Sequence, residues 1–132
     1  MSTTSDTSCN VLIIEDDESI MTMIQLLLEL RGYAAAIAPN GAAAVEYLRE
    51  TPALPSLILL DLQMPVMDGR QFLEVQQVNS AWSAIPVILM SAINDTAAVQ
   101  QQFEVQALIR KPFDPAQLLD LVDRFCSQAS DR

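Results

Sequence analysis

Short, fully apolar runs alternate along this chain with longer segments whose apolar positions recur at helical spacing. Residues 10–15, 56–61, 85–90 and 105–109 are too short for helices and apolar at nearly every position, the pattern of strands buried on both faces of a parallel sheet. Residues 33–38 form a weaker, alanine-rich strand that suits a sheet edge. Between these runs the spacing predicts five helices. The first covers 18–31, with Ile20, Met23, Ile24 and Leu27 on one stripe and Gly32 as its stop. The second is capped by Asn40 and buries Ala44, Val45 and Leu48; the third is capped by Asp68, with Phe72, Leu73 and Val75 or Gln76 facing the sheet. A short fourth helix spans about 95–102. Asp114 followed by Pro115 starts the fifth, whose buried stripe is Leu118, Val122 and Phe125.

Strict strand–helix alternation implies right-handed crossovers and one parallel sheet. The predicted fold is α/β: five parallel strands in the order 2-1-3-4-5, doubly wound (flavodoxin-like), with five helices. The third and fourth strands, the most apolar, belong at its centre. The expected organisation is a polar N-terminal tail over 1–9, one domain over 10–126, and a polar, fraying C-terminal tail over 127–132.

Composition narrows the function. A net charge of −10 opposes direct nucleic-acid binding, which needs a basic surface to displace counterions. Nothing approaches the ~20 apolar residues of a membrane span, and residues 1–8 lack the basic and apolar parts of a signal peptide, so a cytoplasmic protein without a membrane partner is expected. Cys9 and Cys126 lie near opposite ends, outside any metal or redox spacing, and read as free thiols in a reducing compartment. The absence of histidine excludes Ser-His and Cys-His nucleophilic pairs and His-ligated metals, and the chain cannot itself carry a phosphohistidine.

The strands end in chemistry. The first runs into Glu15-Asp16-Asp17, the third closes on Asp61, the fourth on Ser91-Ala92, and the fifth on Arg110-Lys111-Pro112. Doubly wound sheets gather such ends on one edge, at the point where strand order reverses. Clustered carboxylates repel unless a cation neutralises them, and an all-oxygen set without His or Cys favours Mg²⁺. Lys111 adds a fixed positive charge and Ser91 a hydroxyl. A cation, a lysine and a hydroxyl around one carboxylate make a cradle for a phosphoryl group, with Asp61 as nucleophile forming an aspartyl-phosphate. Each residue alone has an ordinary structural reading: helix-start acids, a turn aspartate, a capping serine, a surface lysine. Their alignment on successive strand ends favours the joint one.

These residues resemble the receiver domain of two-component response regulators, in particular the single-domain chemotaxis-type regulators. The similarity covers about residues 10–126 and is carried by Val11-Leu12-Ile13-Ile14-Glu15-Asp16-Asp17-Glu18, by Asp61-Leu62-Gln63-Met64-Pro65-Val66-Met67-Asp68-Gly69, by Met90-Ser91-Ala92 and by Lys111-Pro112-Phe113. The resemblance implies that Asp61 accepts a phosphoryl group from a phosphohistidine on a sensor histidine kinase or histidine phosphotransfer protein. It implies Mg²⁺ bound by Glu15, Asp16, Asp61 and the Gln63 backbone carbonyl, with Asp16 the more direct ligand of the acidic pair and Asp17 a helix-start acid. Ser91 matches the family's switch hydroxyl, Lys111 its phosphate-binding lysine, and the Lys111–Pro112 peptide bond is expected to be cis. Gln63 and Ile93 match positions that tune hydrolysis, and an apolar Ile93 would shield the acyl phosphate from water.

The chain departs from the family in one region. Leu108 stands where an aromatic residue usually reports phosphorylation, Glu104-Val105-Gln106 replaces the usual Gly-Ala pair before the fifth strand, and the fourth helix is abbreviated. The expected function is a phosphorelay receiver that catalyses only its own phosphorylation and dephosphorylation and switches the face formed by the fourth helix, fifth strand and fifth helix toward an unnamed downstream protein. Met1 followed by a polar segment favours a stand-alone regulator. The alternative is a receiver-fold interaction module that works without phosphorylation. An aspartyl-nucleophile phosphatase fits less well, because Gln63 stands where such enzymes carry a second acid. A flavin binder fits less well because acids would repel its phosphate.

Overall fold

The computed structural model describes residues 9–92 and 96–130. The elements are β1 (Asn10–Ile14), α1 (Glu18–Leu30), β2 (Ala34–Ala38), α2 (Gly41–Glu50), β3 (Leu57–Asp61), α3 (Gly69–Val78), β4 (Val87–Ser91), α4 (Thr96–Gln102), β5 (Ala107–Arg110) and α5 (Pro115–Ser130). The strands form one sheet in the order β2-β1-β3-β4-β5, and every neighbouring pair is parallel. Alternate strand residues enter opposite cores. Leu12, Ile14, Ile58, Leu60, Val87 and Leu89 pack with Ala44, Leu48, Phe72 and Val99 on one face. Val11, Ile13, Leu57, Leu59, Ile88 and Met90 pack with Ile24, Leu28, Leu118 and Val122 on the other. Every residue of β3 and β4 is buried, which is why their sequences lack strand-like alternation.

Local chemistry sets the helix starts. Asp17 accepts a hydrogen bond from Ile20 N at the head of α1, and Asn40 does the same from Ala43 N for α2. Asp68 and Gln71 form a reciprocal capping box on α3, and Asp114 accepts from Ala116 N at the start of α5. Gly32, at φ +88°, takes the left-handed conformation that ends α1.

Several sequence expectations need correction. The buried side of α1 is Met21, Ile24 and Leu28, while Met23 is exposed and Ile20 and Leu27 are half-buried. This helix is apolar nearly all round, so periodicity could not fix its phase; packing on the sheet does. β4 begins at Val87 rather than residue 85, because Pro86 has no N–H for a ladder. β5 begins at Ala107, since Gln106 binds Val87 twice, through its own N–H (2.9 Å) and through its side-chain oxygen (2.7 Å). α5 continues to Ser130, past the point where a fraying tail was expected.

The cysteines are not free thiols. Cys9 and Cys126 are joined in a disulfide with Cα atoms 5.5 Å apart. Their separation of 117 residues hides the reason. Cys9 sits at the start of β1, and α5 runs back across the sheet and ends beside it. Three residues earlier on α5, Asp123 pairs with Arg31 and accepts a hydrogen bond from the Tyr33 hydroxyl. Burial, then the bond to Asp123 and its charge, push the Tyr33 phenol up to about 12 against the opposing pull of Arg31. No helix among the described residues is long and apolar enough to cross a membrane.

Candidate functional site

Parallel pairing places the strand ends side by side. Ile14 of β1 is level with Leu60 of β3, so Glu15 and Asp61 follow as neighbours. Asp61 is level with Met90, and Ser91 with Arg110, so Ser91 and Lys111 continue the row. The Lys111 N–H donates to the Ser91 carbonyl at 2.9 Å, fixing the loop after β5 to the end of β4. The Lys111–Pro112 peptide bond is cis, as expected. A cleft of about 270 Å³ opens here, lined by Glu15, Asp16, Asp17, Ile20, Asp61, Gln63, Ala92 and Lys111.

The carboxylates of Glu15, Asp16 and Asp61 each present an oxygen within 4.8 Å of the others. Glu15 and Asp61 are buried and Asp16 is exposed. Lys111 Nζ lies 2.6 Å from Glu15 Oε1 and 3.4 Å from Asp61 Oδ1. The second Glu15 oxygen accepts from Asp17 N at 3.1 Å. Both oxygens of Glu15 are therefore engaged by the protein, while Asp16 faces the opening. Gln63 N donates to Asp61 Oδ1 at 3.3 Å.

Three ionised carboxylates facing one ammonium leave an excess of two negative charges. Burial, followed by the charge of Glu15, pushes the Asp61 carboxyl up to about 6 despite the opposing Lys111 charge and Gln63 N–H. For Lys111, burial alone would lower the ammonium pKa. The hydrogen bond to Glu15 and the charges of Asp61 and Glu15 outweigh burial and hold it above its ordinary value. A hard divalent cation fits this all-oxygen, doubly negative set.

Two glycines let the backbone close around the cleft. A Cβ on Gly69 would lie 2.6 Å from the Asp61 carbonyl oxygen and 2.8 Å from Leu62 Cα, so only glycine lets α3 start against the end of β3. Gly41 N–H donates to Met67 O at 2.8 Å, tying the loop after β3 to the head of α2, and a Cβ there would strike Met67. Within that loop Val66 takes φ +69° and is exposed.

The structure therefore brings together Glu15, Asp16, Asp61, Gln63 and Lys111. Ser91 is buried at the end of β4, and its neighbour Ala92 lines the cleft. Leu108 lies apart from the cleft, half-buried on β5 against the core that holds Val87 and Leu89. Ile93 falls outside the described residues. Sequence reasoning gave Ile20 to the α1 stripe and missed it as a cleft wall; its place in the first turn after the acids was the only signal.

Comparison with known proteins follows the same residues. The response regulator receiver domain family matches residues 11–123, spanning all five strands and both ends of the acidic row. The chain belongs to the response regulator receiver family of two-component systems. This receiver is 34% identical over 111 residues to the DNA-binding response regulator MtrA of Mycobacterium tuberculosis, covering 83% of this chain and 46% of MtrA. It thus spans about half the length of MtrA. It is 32% identical over 117 residues to sporulation initiation phosphotransferase F of Bacillus subtilis, covering 87% of this chain and 91% of that protein. Among solved structures, the chemotaxis response regulator CheY4 of Vibrio cholerae superposes with a TM-score of 0.81 at 26% identity, covering 89% of this receiver and 98% of CheY4.

Proposed function

We propose that this receiver accepts a phosphoryl group on Asp61 from a phosphohistidine carried by a sensor histidine kinase or phosphotransfer protein. The observation that carries this reading is the packing of three carboxylates within 4.8 Å of one another, with the Lys111 ammonium 3.4 Å from Asp61. An Asp61 oxygen attacks phosphorus, the phosphorus–nitrogen bond of the donor breaks, and an acyl phosphate forms. Phosphoryl transfer needs mainly placement and charge neutralisation, and this site is organised for both. Lys111 moves between carboxylates and the incoming phosphoryl oxygens. The Ser91 hydroxyl serves as a further donor at the end of β4.

Asp16, Asp61 and the Gln63 carbonyl would hold Mg²⁺, with Glu15 in support because both its oxygens are already engaged. The metal supplies positive charge that neutralises the transferred group. Phosphorylation in turn biases the face of α4, β5 and α5 toward a downstream protein. The test is incubation with acetyl phosphate and Mg²⁺ beside an Asp61→Asn control. Intact mass should rise by one phosphoryl group in the wild type alone. An unmodified wild type across a range of Mg²⁺ concentrations would instead favour the phosphate-independent interaction module.

A further inference from the structure

The disulfide lies at the end of the sheet opposite the acidic row. Cys9 precedes β1 and Glu15 follows it, so the two sites stand about one five-residue strand apart, roughly 17 Å. α5 connects them. Its head follows the loop that carries Lys111, and Phe113 of that loop packs into the same core as Cys9 and Cys126. Its far half is held by Cys126 and, one turn earlier, by the Asp123 contacts to Arg31 and Tyr33. The covalent bond and the polar clamp thus fasten the same part of the helix to β1 and to the α1–β2 turn. No step of phosphoryl transfer uses either cysteine.

We propose that Cys9 and Cys126 form a reversible dithiol–disulfide site that reacts with thiol–disulfide couples and sets how firmly the C-terminal half of α5 is seated. In oxidation, one cysteine thiolate attacks a low-molecular-weight disulfide, forming a mixed disulfide and releasing one thiol. The second cysteine thiolate then attacks the protein sulfur of that mixed disulfide and releases the second thiol. Two electrons pass from the cysteine pair to the oxidant, and the two thiol protons end on the released thiols. Reduction is the reverse. Both sulfurs are buried, with Cys9 4% and Cys126 3% exposed, so exchange requires the end of α5 to lift. That lifting is the motion the bond suppresses. In the reduced protein the Asp123 clamp and the packing of Val122 and Phe125 hold this half of the helix without a covalent tie. The receiver thereby carries a redox input at one end of α5 and the acidic site at the other.

The test uses the full chain equilibrated in mixtures of reduced and oxidised glutathione, quenched in acid and alkylated. Intact mass should pass from two alkyl groups to none as the mixture becomes oxidising. Hydrogen exchange on the two end states should show amides in the second half of α5 opening at least about tenfold more often in the dithiol form, with the β3 and β4 amides unchanged. Cys126→Ser should match the reduced wild type, and the chemically reduced wild type carries the comparison if that variant folds poorly. A bond that fully reduced glutathione leaves intact, a pair that stays dithiol in every mixture, or identical α5 exchange in both states would each overturn the proposal. Phosphoryl uptake from acetyl phosphate, measured in parallel, should be equal in the two states. Its absence in both would count against the assignment of Asp61 and leave the redox site standing.

Discussion

The acidic row and the α4–β5 face are carried by the same sheet but built differently. The carboxylates of the row grow from the ends of β1 and β3, whose apolar residues are fully buried, and Lys111, from the loop after β5, ties Glu15 and Asp61 together at 2.6 and 3.4 Å. The other face rests on β5, four residues long with Ala107 and Leu108 only half-buried, and on α4, seven residues long. Glutamines supply many of its ties: Arg70 to Gln102, Gln77 to Glu104, and Gln106 to Val87. The carboxylates thus stand on the most deeply buried strands of the fold. The surface expected to report that chemistry is held by longer, more exposed side chains, which a modest free-energy change can rearrange.

The strongest way to break this contrast is at Lys111. Lys111→Ala should slow phosphoryl uptake from acetyl phosphate about a hundredfold, the scale of losing one charged donor to a transition state. A rate within a few-fold of wild type would remove Lys111 from the site. Gly69→Ala attacks the rigid side directly. Its Cβ would press on the Asp61 carbonyl and the Leu62 backbone, which cannot yield, so unfolding stability should fall by about 3 kcal/mol in urea titrations. A neutral result would mean that α3 does not need this close approach.

A smaller effect comes from the charge of Asp61 itself. The folded, metal-free receiver raises this carboxyl from 3.8 to about 6, so it binds the proton more tightly than the unfolded chain does. A raised acid stabilises the fold when protonated, and that stability is lost as pH rises through the window from about 4 to 6. Asp61→Asn never ionises. Without metal, its melting temperature should overtake that of the wild type across this window and stay higher by roughly 5 °C at neutral pH. Mg²⁺ should then close the gap by stabilising the wild type alone. A gap that shrinks with rising pH would reverse the assigned sign. Smallest of all, Leu108→Tyr should change Mg²⁺ affinity by less than about twofold, because Leu108 lies away from the cleft, while altering partner binding or self-association. A large change in Mg²⁺ affinity would couple the two regions more tightly than their packing suggests.

The row was legible because its signals are local. An apolar run ending on Asp61, acids after β1, and the Met-Pro and Asp-Gly steps can each be read without knowing what lies opposite. The same holds for the Asn40, Asp68 and Asp114 caps, whose partners are two or three residues away. What stayed hidden depends on distant neighbours. The phase of α1 is ambiguous in a helix apolar on nearly every side, and only the sheet selects Met21, Ile24 and Leu28. The Cys9–Cys126 pair and the Asp123 clamp arise from chain returns that no spacing rule encodes.

The central claim is that Asp61 is the atom-level acceptor, and chemical trapping tests it most directly. Acyl phosphates are reduced by borohydride, which converts a phosphorylated aspartate to homoserine. After treatment with acetyl phosphate and Mg²⁺, peptide mapping should find that conversion at Asp61 and leave Glu15, Asp16 and Asp68 unchanged. Conversion at another acid, or none in a receiver that has gained a phosphoryl group, would contradict the account.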